Sequence, residues 1–110
     1  MPDSAPSAAT STLADLGVRT GERPVATVLH RGDAATVTLL SLPPGAEMPD
    51  HAAPRDAVVM GVEGSAVVTF EDETAALSVG VGVSLRAGRR HRVTPGAGGA
   101  VLLLIVSPHP

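Results

Sequence analysis

Four histidines carry the clearest chemical potential in this cysteine-free sequence: His30, His51, His91 and His109. His51 lies in PGAEMPDHAAPRDAVVMGVEG (Pro44–Gly64), just after a Pro/Gly turn and just before an apolar run. His91 lies in AGRRHRV (Ala87–Val93). Neutral imidazoles ligate divalent metals, and they exchange protons near neutral pH. A catalytic zinc takes three protein ligands, and a non-haem iron takes two histidines and a carboxylate. The carboxylates near His51 are Glu47, Asp50, Asp56 and Glu63. His30 and His109 stand in no comparable setting and read as surface residues.

The densest charge cluster is Arg86, Arg89, Arg90 and Arg92. It reads either as a solvated loop with an outer strand face, or as a place where Arg89 or Arg90 pairs with an anionic ligand. A guanidinium fork suits a carboxylate or phosphate. The net charge of −3 and the single aromatic, Phe70, argue against nucleic acid, which needs a basic footprint and stacking side chains.

These side chains must be positioned by a small domain. A chain of 110 residues is one domain and can bury a real core. Val, Ala and Leu have to fill it, and β-branched residues favour strands. Only 17% of the residues are charged, which leans towards a homodimer that hides apolar surface. The first residues, MPDSAPSAATST, have neither the basic nor the apolar part of a signal peptide. The longest apolar stretch, AVLLLIV (Ala100–Val106), is far short of the ~20 residues of a membrane helix. A cytoplasmic protein with no membrane partner is expected.

Residues 1–12 read as a flexible arm, 13–24 as a lead-in, 25–107 as a barrel and 108–110 as a short tail. Strands are expected at Val25–His30, Ala34–Leu42, Ala57–Glu63, Ser65–Glu71, Thr74–Val79, Val83–Arg86, His91–Thr94 and Ala100–Val106. Turns are expected at Arg31–Asp33, Pro43–Gly45, Gly64, Gly80–Gly82, Gly88 and Pro95–Gly99. No stretch holds a helical period. Short strands with turn signals between them predict an all-β sandwich or barrel.

The glycines and histidines resemble the two motifs of the small single-domain cupins over about residues 25–106. Gly45, His51 and Gly64 match the first motif, with Ala53 at its second histidine and Ala57 at its glutamate. Gly80, Gly88 and His91 match the second, with Arg86 in place of a proline and Pro95 in place of an asparagine. The interval from Gly64 to Gly80 is short, as in compact bacterial cupins. The resemblance implies a cupin-type double-stranded β-helix, or jelly-roll barrel, with a small-molecule site in its mouth. Two of the four family ligand positions are alanine.

On that frame His51, Ala53 and Ala57 face the interior, and Asp50 and Asp56 face out. Glu47 shares the inward parity and is the best spare metal ligand beside His51 and His91. The expected function is binding of a small, anionic organic molecule, with Arg89, Arg90, Ala53, Ala57 and Met60 on its binding surface. His51 and His91 would be the catalytic pair of a metal-free or weakly metal-assisted isomerase or lyase. One alternative is a metal-dependent enzyme such as a dioxygenase, with Zn, Ni, Fe or Mn. Another is a non-catalytic sensor or accessory module. No cofactor is fixed by the sequence, and a divalent metal at low occupancy is the only one it suggests.

Overall fold

The structure, a computed structural model, describes residues 22–108. The expected arm at 1–12, most of the lead-in and His109 lie outside the described residues. Among those described there is no helix, and seven strands form: β1 (Val25–Arg31), β2 (Thr36–Leu42), β3 (Met48–Ala52), β4 (Ala57–Phe70), β5 (Thr74–Leu77), β6 (Gly82–Leu85) and β7 (Arg90–Val106). All pairings between these strands are antiparallel.

Two strands organise the rest. The second half of β7 pairs β2 on one side and the first half of β4 on the other. The first half of β7 pairs β3 and the second half of β4. With β1 beside β2, β6 beside the start of β4 and β5 beside its end, two sheets result. They face each other across one core, which is the expected all-β jelly roll.

The two sheets are joined where β4 and β7 bend. Register shifts fall between Gly61 and Glu63 and between Gly64 and Ala66. Extra residues on one strand kink it and increase its twist. Gly64 sits at φ 69°, and a Cβ there would run into the Gly99 carbonyl oxygen. Only glycine meets both demands. Gly64 is therefore a bend inside a 14-residue strand, and not the hairpin turn expected from sequence. Likewise Pro95–Gly99 lies inside the 17-residue β7. Glu63 stands beside the bend and not at a hairpin tip.

Alternation then fills the interior. Leu40, Leu42, Val59, Val68, Leu85 and Leu102 belong to one buried cluster. A fully buried leucine such as Leu42 contributes about 2 kcal/mol. Between β2 and β3, Ala46 N–H donates to Pro43 O at 3.0 Å, and Gly45 between them has φ 80°. A positive φ in the third residue, after proline, makes a type II turn. That turn delivers β3, a strand absent from the sequence expectation, to the edge of β7. No helix among the described residues is long and apolar enough to cross a membrane.

Candidate functional site

The site is made by the β3–β7 pairing. His51 and His91 are direct cross-strand partners. Residues directly opposite each other on antiparallel strands have their Cβ atoms about 5 Å apart, so their side chains meet. Their ring centroids are 4.5 Å apart, with the planes tilted by 57°. His91 is 3% exposed, whereas His51 lies at the open edge.

Both rings are oriented in the same way. His51 Nδ1 is 2.9 Å from Pro49 O, and His91 Nδ1 is 3.1 Å from Arg89 O. A carbonyl only accepts, so each Nδ1 carries the proton in the neutral ring. Each Nε2 then keeps its lone pair. Phe70, the one aromatic of the chain, supports His91 from behind, with centroids 6.3 Å apart.

The imidazoles border an apolar cavity of about 180 Å³ between the sheets. Leu40, Val59, Leu85, Val93 and Leu104 supply its walls, and Met48 its rim beside β3. Ala53 and Ala57 also line it. Their methyl groups stand at the two family ligand positions, and the space left by the missing side chains is part of the cavity. A larger hollow of about 380 Å³, bordered by Val58, Ser84, Arg86 and Ile105, lies outside the barrel and includes neither imidazole. The smaller, interior cavity is therefore where chemistry is possible.

Four residues expected here are elsewhere. Glu47 is exposed and accepts from the Thr94 hydroxyl at 3.3 Å, away from the cavity wall. The irregular register between Met48 and His51 defeats the parity that placed it inside. Met60 is half-buried on the opposite face of β4 from Val59, as strand alternation requires. Arg90 pairs with Asp50 at 2.8 Å on the outer side of β3 and β7. Arg89 binds Asp72 at 2.9 Å and Glu73 at 2.8 Å, and its guanidinium lies 3.8 Å above the Phe70 ring. The Glu73 and Asp72 carboxylates push Arg89 above its ordinary pKa, so it stays charged. Arg89 acts on the site through its backbone, because its carbonyl holds the His91 ring.

Sequence reasoning missed Arg55, which does line the cavity. It lies one residue after Pro54 in the loop between β3 and β4, outside the arginine cluster that drew attention. The proximity of Arg55 to His51 in sequence was the available signal.

The donor set does not fit the resident metal that the family motif implies. His51 and His91 supply two nitrogens, and Ala53 and Ala57 supply none. Among the described residues no group of three or more His, Cys, Asp and Glu side chains could hold a metal ion. Catalytic zinc sites take three protein ligands.

Comparison with known proteins agrees with this architecture. No curated protein matches the sequence. The TT1209 protein of Thermus thermophilus has a similar structure, with a TM-score of 0.81 at 27% identity, covering 92% of this chain and 98% of that one. A cupin superfamily protein of Desulfitobacterium hafniense gives 0.78 at 22% identity, covering 93% of each chain. KdgF from a Halomonas species gives 0.72 at 18% identity, covering 79% of this chain and 82% of that one. The model of the cupin domain, Cupin_2, matches residues 38–106, from within β2 to the last residue of β7. With the two-sheet barrel and both motif histidines on one cavity, this chain belongs to the cupin domain family.

Proposed function

We propose that the barrel binds a small organic molecule between its sheets, with a polar group of that molecule held by the imidazole pair. One observation carries the reading. Two rings 4.5 Å apart have their Nδ1 atoms engaged by backbone carbonyls, which leaves two Nε2 lone pairs beside an apolar cavity. Mostly apolar walls with a few convergent polar groups are the usual make-up of a ligand site. The cavity volume of about 180 Å³ limits the ligand to little more than the size of benzene, which an apolar cavity of about 150 Å³ accommodates.

The same geometry supports proton transfer without a metal. An Nε2 within hydrogen-bonding reach of an acidic C–H or O–H of the ligand would act as general base. Its partner, once protonated, would return a proton at another position, which is isomerase or lyase chemistry. Metal-dependent oxygen chemistry is less well supported, because the alanines at two ligand positions leave the donor set short.

The test is an NMR titration of the full chain with short branched alcohols and hydroxy amides. Binding should saturate, with shifts at the His51 and His91 rings and at the Val59 and Leu85 methyls. Ala57→Leu fills the cavity and should abolish those shifts while the rest of the spectrum keeps its dispersion. Saturation that persists in Ala57→Leu would show that the cavity is not the site. Conversion of a bound probe, followed in the same tube, separates catalysis from sensing.

A further inference from the structure

We infer that the ligand is a short-chain hydroxy acid, bound as a monoanion with its carboxylate on Arg55 and its hydroxyl donating to one Nε2 of the imidazole pair. This rests on the cavity reading above and adds the chemical class.

The charge comes from Arg55. Of the arginines in the β3–β4 loop and at the start of β7, only Arg55 lines the cavity, since Arg89 and Arg90 are committed to Asp72, Glu73 and Asp50. Among the described residues no side chain pairs with Arg55. Its sequence neighbour Asp56 is turned away, because Asp56 Oδ1 accepts the Ala87 N–H at 2.8 Å. An arginine bordering an apolar cavity without a carboxylate of its own is suited to receive one from a ligand, in a bidentate pair.

The loop that carries Arg55 is fixed at both ends. Gly88 N–H donates to Ala53 O at 2.8 Å, and Ala87 N–H holds Asp56. Both clamps come from the β6–β7 turn, so the backbone on either side of Arg55 is fastened to the strand that carries His91. A loop anchored in this way does not have to be ordered when a ligand binds, although the exposed Arg55 side chain does.

The hydroxyl follows from the tautomers. With Nδ1–H engaged on both rings, each Nε2 is an acceptor, and the ligand has to bring the donor. An ammonium donor would place a second cation beside Arg55, whereas a hydroxyl adds no charge. The walls formed by Leu40, Val59 and Leu104 then ask for a short branched tail. The cavity offers one positive charge and two Nε2 acceptors, and a hydroxy acid supplies one carboxylate and a hydroxyl that donates to one of the two.

The probes are 2-hydroxyisovalerate, its neutral amide and isovalerate, titrated into the isotopically labelled full chain. The hydroxy acid should bind about tenfold more tightly than its amide, the scale of one charge-assisted pair at an open site. Isovalerate, lacking the donor, should bind more weakly than the hydroxy acid. Arg55→Gln should bring the hydroxy acid down to the level of the amide, and Arg55→Lys should keep part of its advantage. A hydroxy acid that binds no better than the amide, or an advantage that survives in Arg55→Gln, overturns the inference and leaves the cavity reading standing. If none of the three probes moves the His51 and His91 rings at millimolar concentration, both fall together.

Discussion

The two sheets share one core but turn very different faces outward. On the second half of β7 and its neighbours, the side chains that alternate with the core are Val58, Leu39, Val101, Leu103 and Ile105. Leu39 and Val101 are 3% and 1% exposed, while Val58, nearer the edge, is 37% exposed. On the first half of β7 the equivalent positions are Arg90, Arg92 and Thr94, flanked by Asp50 and Thr69. The same strand thus changes the chemistry of its outer side at the Pro95–Gly99 bend while its inner side, apart from His91, stays apolar. Inward alternation is dictated by the core, whereas outward alternation records what each face meets. Apart from Glu63, exposed opposite Val101, the first face carries no charge at these positions, and such a face is suited to burial.

The largest way to break this contrast is to place a charge at the centre of the apolar face. Leu39→Lys should cost about 3 kcal/mol or more, because an ammonium would be buried at a position flanked by Thr27 and Leu103, with no carboxylate opposite it. A urea midpoint close to that of the parent would show that this face is far more open than the burial of Leu39 implies. A smaller effect is expected nearer the rim. The homodimer expected from the lightly charged composition would use the part of this face that is still accessible, at Val58, Leu103 and Ile105. Static light scattering should give twice the chain mass for the parent, and Leu103→Arg should return it to the chain mass at the same concentration. A parent that scatters as a monomer at every accessible concentration would remove that assignment. The smallest effect belongs to the charged face. Arg90→Ala breaks the exposed pair with Asp50 and should change stability by no more than about 0.5 kcal/mol in urea unfolding. A loss several times larger would mean that the charged face is as structurally committed as the apolar one.

The strand pattern was readable because it follows from local alternation, and the meeting of His51 and His91 because each falls at the histidine of its motif in the family the sequence resembles. β3 was not, since Met-Pro-Asp-His-Ala has little strand character by composition. Its proline is tolerated because β3 is an edge strand. Gly64 and Pro95–Gly99 were read as reversals for a similar reason. A glycine signals a backbone conformation, and only the long-range register shows whether the chain then reverses or merely bends. Met60 could have been excluded from the sequence alone, because it lies an odd number of residues from Ala57. The ion pairs of Arg89 and Arg90 were not legible, because their partners, Asp72, Glu73 and Asp50, are distant in sequence. Arg55 was overlooked because a single arginine in a Pro-containing loop carries no pattern.

The central place of β7 also bears on how the barrel is made. It is the last of the seven strands, yet it lies in the middle of both sheets and pairs residues as distant along the chain as Ala57 and Val106. During synthesis earlier segments emerge first. The β2 and β4 edges therefore lie bare until residues 90–106 arrive, and unpaired edges template other chains. Pairings between distant segments are also slow to form. AVLLLIV, the most apolar segment of the barrel, has to find its place between two waiting strands in that interval. The arrival of the strand that brings His91 to His51 is thus also the moment at which the nascent barrel stops being prone to aggregate.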